Sequence, residues 1–293
     1  MAYAKNFMCE GKPGIPPQEL RAVIKRALKE DIGRGDITTR ATIAGSILIR
    51  AEIIAKESFL LCGLEVAAQV FKTVDPGLKF QAGAREGARI PRGKVLAVIS
   101  GKAASILTAE RVALNFLSLL SGVATKTSRF VHKIAPFKTR IADTRKTLAG
   151  LRSLQKYAVR VGSGYNHRMC LDEMYLIKDN HLKIMGGYAK LPPVPKGYKV
   201  EIEAQDLKEF ARALSFKPDI IMLDNMNIPD IKKAVKTRNK LLVNCRSCRT
   251  WLEASGGINL GNVKKYAATG VEIISIGELT DSIESVDVSL EVL

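Results

Sequence analysis

From Lys138 onward the chain repeats one rhythm, short strand, loop, helix, and this alternation restricts its fold more than any other feature. Apolar runs read as strands at Thr139–Ala142, Tyr175–Ile177, Lys199–Ile202, Ile220–Leu223, Thr250–Ala254 and Ile273–Ile276. Helical spacing falls between them at Leu151–Arg160, Asp206–Leu214, Ile228–Thr237 and Asn259–Ala268. Strands that alternate with helices pair in parallel through right-handed crossovers. Six strands are too few to close an eight-stranded barrel. An open, incomplete α/β barrel fits, as does a doubly wound sheet, and Leu241-Leu242-Val243 could add a seventh strand.

The first part of the chain has a different character. Pro16-Pro17 open a helix with Leu20, Val23, Ile24, Ala27 and Leu28 on one face, ending near Gly33. Ile47–Lys56 alternates, with Arg50, Glu52 and Lys56 on one side and Ile49, Ala51 and Ile53 on the other, as in a sheet with one solvated face. Leu64–Val74 reads as a helix, Gly77–Gly93 as turns with short strands, and Val95–Ile99 as a buried strand. These elements make a small α+β domain. A long apolar helix follows over Ala103–Leu120, with Gly122 expected to end it and a second helix over Ala124–His132. Glu110 and Arg111 interrupt its apolar surface, at the solvent edge of a junction or aimed into a site.

The net charge of +17 attracts polyanions without specifying which. No aromatic-rich basic strand or zinc-finger spacing points to nucleic acid, and aromatic residues are only 6% of the chain. The N-terminal residues lack a signal-peptide core and no apolar run reaches bilayer-spanning length, so a soluble, cytoplasmic protein without membrane or nucleic-acid partners is expected. Cys245 and Cys248 have the spacing of half a zinc site, but no second pair completes it. No glycine-rich nucleotide fingerprint sits between a strand and a helix in the first half.

What the strands carry at their C-terminal ends is the main functional signal. Thr144-Arg145-Lys146, Lys178, Glu203, Asp224, Ser255-Gly256-Gly257 and Gly277 each lie at or just beyond such an end. Parallel sheets and barrels gather their sites on that face. His167-Arg168, in a glycine-rich loop, adds to the cations. Arg offers a planar fork to carboxylate or phosphate and Lys a point charge, so these loops suit a small, heavily anionic substrate, the alternative being a solvated basic face. The Ser255–Gly257 turn before an Asn259 helix, and the Gly277 turn, read as seats for phosphate. Glu203 and Asp224, beside bound phosphates, would suit Mg²⁺ directly or through water.

Taken in order, GDITT at 35–39, ERVALNFLSLLSG at 110–122, DTRKTLAGLR at 143–152, KYAVRVGSGYNHR at 156–168, LIKDNH at 176–181, EIE at 201–203, LDN at 223–225, EASGGI at 253–258 and IGELT at 276–280 cover almost the whole chain. In this combination the sequence resembles the quinolinate phosphoribosyltransferase family, also called nicotinate-nucleotide pyrophosphorylase (carboxylating). The resemblance implies an N-terminal α/β sandwich over 1–114, an incomplete barrel over 115–280 and a final segment, 281–293, whose strand Val286–Val292 returns to the first domain. It implies conversion of quinolinate and 5-phosphoribosyl 1-diphosphate to nicotinate mononucleotide, diphosphate and CO₂, with Mg²⁺, in de novo NAD synthesis.

By the same resemblance Arg145, His167, Arg168 and Lys178 line the quinolinate pocket with Lys146 and Thr144 beside it. Glu203 and Asp224 serve the ribose and metal, and Ser255, Gly256, Gly257 and Gly277 the 5′-phosphate. Arg145, Lys146, Lys178, Glu203 and Asp224 are the group implied to carry the reaction. Arg111 corresponds to an arginine inserted by a neighbouring subunit, implying a homodimer or higher even oligomer with shared sites. Leu148-Ala149, Ser163 and Cys170 depart from the usual pattern of the family, in loop positions and not at charged contacts.

Overall fold

The computed structural model describes residues 15–188, 191, 193–194, 197–244 and 250–293. Cys245 and Cys248 lie outside the described residues. The described chain divides into two compact units, one of residues 15–128, 147–163 and 279–293, the other of 129–146 and 164–278 without the undescribed positions.

The first unit begins with α1 (Pro17–Ile32), opened by proline and closed by Gly33 in a left-handed φ, as its sequence foretells. After α2 (Ile37–Thr42), capped by the Asp36 carboxylate, come β1 (Leu48–Ala55), β2 (Phe59–Leu60) and α3 (Leu64–Val74). Three further strands complete this stretch: β3 (Lys79–Ala82), β4 (Arg89–Ile90) and β5 (Val95–Lys102). Ala51, Ile53 and Ala55 of β1 are buried and their neighbours are not, the burial that period-2 alternation requires.

α4 then runs unbroken over Ala103–Lys133, where the sequence suggests two helices parted at Gly122. The glycine has a different purpose. A Cβ at Gly122 would run into the carbonyl oxygen of Glu284, because the C-terminal segment crosses the helix there and the Val286 N–H donates to the Ser118 carbonyl at 3.2 Å. Glycine lets two backbones approach; it need not stop a helix whose other residues favour one. By length and composition α4 is apolar enough to cross a bilayer, contrary to the expectation that no run reaches that length. Its most apolar window is nevertheless 61% buried within the chain, as in the core helix of a globular domain.

The second unit is built on strands β6 (Arg140–Ala142), β7 (Met174–Ile177), β8 (Lys199–Ala204), β9 (Ile220–Asp224), β10 (Trp251–Ser255) and β11 (Ile273–Ser275). Helices stand between them: α5 (Arg152–Val161, part of the first unit), α6 (Asp179–Met185), α7 (Leu207–Ser215), α8 (Ile228–Asn244) and α9 (Val263–Ala267). All six strands are parallel, in the order β6-β11-β10-β9-β8-β7, an open α/β barrel with β6 and β7 as its free edges. Leu241-Leu242-Val243 belong to α8 and not to a seventh strand. β12 (Val288–Val292), in the first unit, pairs antiparallel with β1 and gives that unit a sheet ordered β12-β1-β5-β3.

Register shows which side chains share the barrel interior. Leu176 lies opposite Glu201, Glu203 opposite Met222, Glu253 opposite both Met222 and Ile273, and Ser255 opposite Asp224. Ala142, Met174, Leu176, Ile220, Met222, Trp251 and Ile273 form one apolar cluster, so the residues in line with them face inward as well. The interior is thus mixed, Glu201 standing level with Leu176 and Ile220 and Glu203 and Glu253 level with Met222, and all three glutamates are buried.

Candidate active site

Each strand delivers its side chains to the C-terminal face because a strand's last inward position is the first that need not be apolar. At β7 and β8 this produces an ion pair: Lys178 Nζ lies 2.9 Å from Glu203 Oε2, the lysine half-exposed and the glutamate buried. Lys178 also opens α6, where its N–H meets His181 Nδ1 at 2.9 Å. Thr144 Oγ1 accepts the Lys146 N–H at 3.0 Å, which curls the Thr144–Lys146 turn just after β6.

Asp224 and the Ser255–Gly257 turn meet through a residue the sequence did not single out. Asn225 has φ +56°, donates its amide to Asp224 Oδ2 at 2.8 Å and its N–H to the Ser255 carbonyl at 2.8 Å. Gly256 (φ +93°) packs so closely on it that a Cβ would lie 2.9 Å from the Asn225 backbone nitrogen and closer still to its side-chain amide. Gly257 is also left-handed (φ +60°) but has open space around it. The helix expected from Asn259 starts only at Val263 and holds five residues. Asn259 and Asn262 turn their side chains onto neighbouring backbone: Asn262 Oδ1 takes the Asn259 N–H, Asn259 Oδ1 the Gly261 N–H, and Asn262 Nδ2 reaches the Gly257 carbonyl. Asn side chains compete with helix formation in this way. Any anion seat here therefore consists of the glycine turn and not of a helix terminus. Gly277 opens a single 3-10 turn, Gly277–Leu279.

The His167-Arg168 pair belongs to a segment that lies on the open side of the barrel. Tyr165 pairs with the free edge of β6, its N–H donating to the Ile141 carbonyl at 2.8 Å while Asp143 N–H donates to the Tyr165 carbonyl at 3.1 Å. The buried Asp143 carboxylate accepts the Asn166 side-chain amide at 2.6 Å and the His167 N–H at 2.8 Å. Arg168 Nη1 donates to the Met174 carbonyl of β7 at 3.0 Å.

His167 itself turns inward. Its Nε2 lies 3.0 Å from Glu201 Oε2 and 3.5 Å from Glu253 Oε2, and these three donor groups have the spacing to share a divalent ion. Its Nδ1 accepts the Arg168 N–H at 2.9 Å, which leaves the proton on Nε2, facing the carboxylates. Burial opposes charge on the imidazole, but Glu201 and Glu253 favour it and lift the pKa well above the ordinary histidine range. Burial and Glu253 push Glu201 up as well, with His167 opposing. With Nδ1 engaged as an acceptor, the proton this group retains lies between Nε2 and the two carboxylates and is held above the ordinary histidine range. Arg168 is pulled down by burial and by Arg145 and pushed up by Glu201, so it stands within electrostatic reach of both.

Of the residues expected at the site, Thr144, Arg145, Lys146, His167, Arg168, Lys178, Glu203, Asp224, Ser255, Gly256, Gly257 and Gly277 all lie in the barrel unit. Arg111 lies in the other unit, exposed on α4, and Glu110 beside it is raised by burial with Arg111 opposing. Reasoning from sequence missed Asp143, Glu201, Asn225 and Glu253. The signal for the two glutamates was alternation, since Glu201 and Glu203 two apart in one strand must share a face.

The family model described as Quinolinate phosphoribosyl transferase, C-terminal domain, matches residues 123–291, and the corresponding N-terminal domain matches 36–121. The chain is 38% identical over 275 residues to a probable nicotinate-nucleotide pyrophosphorylase [carboxylating] of Synechocystis sp., covering 92% of this chain and 91% of that one. It is 39% identical over 277 residues to a probable enzyme of the same name from Methanocaldococcus jannaschii, covering 92% and 96%. The solved nicotinate-nucleotide pyrophosphorylase of Francisella tularensis superposes with a TM-score of 0.88 at 37% identity, over 97% of this chain and 99% of that one.

Proposed function

The chain belongs to the quinolinate phosphoribosyltransferase family, and from this premise we propose that it joins quinolinate to 5-phosphoribosyl 1-diphosphate, releasing diphosphate and CO₂ and leaving nicotinate mononucleotide. The observation that carries the reading is the division of chemistry on one face of the barrel. Arg145, Lys146, Arg168 and Lys178 supply cations from one set of strand ends and the adjoining loop, suited to two carboxylates on an aromatic ring. Asp224 and the Ser255–Gly257 turn lie opposite in register, and with Gly277 they suit a ribose and its 5′-phosphate.

In this reading the pyridine nitrogen attacks the anomeric carbon of the ribose and the bond to diphosphate breaks, its electron pair leaving with the diphosphate. The ring nitrogen is then quaternary. The carboxylate at C2 departs as CO₂, its bonding electrons remain at C2 beside the cationic nitrogen, and a proton takes its place. The chain's part is mostly orientation: two carboxylates held by paired cations cannot rotate away from the sugar. Glu203 and Asp224 are oxygen donors, as Mg²⁺ prefers, and would hold that ion, which neutralises charge on the diphosphate when bound. The His167–Glu201–Glu253 group suits Mg²⁺ less well, because its imidazole presents N–H to the carboxylates and the full burial of both carboxylates excludes the waters that Mg²⁺ retains. Exposed Arg111 would complete the cation set of a neighbouring subunit's pocket, making the working form a homodimer or a higher even oligomer.

The test is release of labelled CO₂ from carboxyl-labelled quinolinate. The reading expects release only when the sugar diphosphate and Mg²⁺ are both present. Release without the sugar diphosphate, or none with all components, would remove it.

A further inference from the structure

Two guanidinium groups that must face one small dianion repel each other before it arrives. Arg145 and Arg168 are such a pair, and the repulsion is felt at Arg168. Something in the chain has to hold Arg168 in place against it. The candidates are the contacts of the segment that carries it, and these are unusually complete. Tyr165 is hydrogen-bonded to the edge of β6, Asn166 and the His167 N–H to the buried Asp143 carboxylate, and the Arg168 guanidinium to the Met174 carbonyl of β7. The segment therefore straps one free edge of the barrel to the other. Its middle is locked by the His167 ring, inserted toward two fully buried carboxylates on different strands, Glu201 of β8 and Glu253 of β10.

We infer that Glu201 and Glu253 are positioning residues for quinolinate recognition: through the His167 ring they hold Arg168 against β7 in advance of the substrate. Neither glutamate contacts substrate in this account. His167, with Nδ1 taken by the Arg168 N–H and Nε2 turned to the glutamates, is the link between them and Arg168. The arrangement explains why a chain with this net charge buries two glutamates in the interior of its most cation-rich unit. A site that binds a dianion needs its cations close together, and cations held close together need buried negative charge behind them. Charge of that kind does not have to reorganise when the substrate enters.

The inference rests on the reading of the chain as a quinolinate phosphoribosyltransferase, and a double-mutant cycle separates the two. Glu201→Gln and Glu253→Gln are each combined with Arg168→Ala, and KM is measured separately for quinolinate and for the sugar diphosphate, with melting temperature as a check on folding. Each glutamine variant should raise the quinolinate KM roughly ten- to hundredfold, the loss of one charged hydrogen bond, and the sugar diphosphate KM by no more than about twofold. In the Arg168→Ala background the same glutamine substitution should raise the quinolinate KM no further, because the residue it positions is gone. An undiminished rise in that background, or equal rises for both substrates, would overturn the inference. If a glutamine variant fails to fold, Glu→Asp, which keeps the charge and withdraws it by one methylene, carries the same cycle. Wild-type protein that releases no CO₂ at all would defeat the enzymatic reading instead, and calorimetric titration of quinolinate alone would then still read the cycle as binding.

Discussion

Gly256 and Gly257 are adjacent, both left-handed, and should differ sharply in what an alanine does to them. At Gly257 (φ +60°) a Cβ meets nothing within 4 Å, so Gly257→Ala pays only for the left-handed backbone, about 1–2 kcal/mol. At Gly256 the same cost is joined by overlap with Asn225, whose backbone nitrogen would stand 2.9 Å from the new Cβ. That nitrogen cannot yield easily, since its N–H is bonded to the Ser255 carbonyl, and crowding of this sort costs about 1–3 kcal/mol more. Relief requires Asn225 to move, and Asn225 donates to the Asp224 carboxylate. Gly256→Ala should therefore reduce kcat/KM for the sugar diphosphate by roughly a hundredfold, against about tenfold or less for Gly257→Ala, at about 1.36 kcal/mol per factor of ten. Quinolinate affinity, measured by calorimetric titration, should change little in either. Steady-state kinetics with each substrate varied in turn is the assay. Equal losses for the two alanines, or a Gly256→Ala defect confined to quinolinate, would show that the turn is not an organised seat for the phosphorylated sugar.

Two further expectations concern the fold around the site. Gly122→Ala would stabilise an isolated helix by about 1 kcal/mol, yet here it should lower the melting temperature, because the Glu284 carbonyl lies where the methyl must go; a rise in melting temperature would mean that the C-terminal crossing is loose. The proton held among His167, Glu201 and Glu253 makes stability depend on pH. A group whose folded pKa is raised contributes stability that is present below its unfolded value, about 6.5 for histidine, and is lost as pH rises through the folded one. The wild-type melting temperature should therefore fall, relative to Glu253→Gln, as pH is raised from about 6.5 toward the alkaline range, and a pH-independent difference between the two would contradict the assignment.

The outward architecture was legible because it rests on local pattern. Parallel strands buried on both faces need apolar runs, helices between them need a 3.6-residue period, and both are written within a few residues of each other. The strand-end groups were legible for the same reason: Lys178, Glu203 and Asp224 interrupt apolar runs at their C-terminal limit. What escaped depends on residues far apart in the chain. Glu201 and Glu253 sit within strand runs, and only the register turns them inward together with Glu203. Gly122 reads as a helix end because the Glu284 carbonyl that requires it is remote in sequence. The Asn259 helix failed on a local competition that helical spacing does not see, the Asn side chains bonding to nearby backbone. Ser163, one of the departures from the family pattern, takes φ +67°, a conformation whose cost glycine would avoid, and nothing in the structure explains its choice.

The incompleteness of the barrel and the placement of the residues proposed for recognition have one structural origin. A closed barrel satisfies every strand edge with another strand, and its neighbours' side chains then alternate in and out without exception. Here the edges of β6 and β7 are free, and the buried backbone groups they expose still require partners. Tyr165 meets the first edge with its main chain and Arg168 meets the second with its side chain. A segment that bonds by single contacts and not by a ladder is released from strand alternation, so successive residues can point where a strand could not send them. Asn166 and the His167 N–H reach Asp143, the His167 ring reaches the buried glutamates, and Arg168 reaches β7 within Coulombic range of Arg145. Adding a seventh strand at this seam would satisfy the same edges, but it would turn alternate residues to the outside.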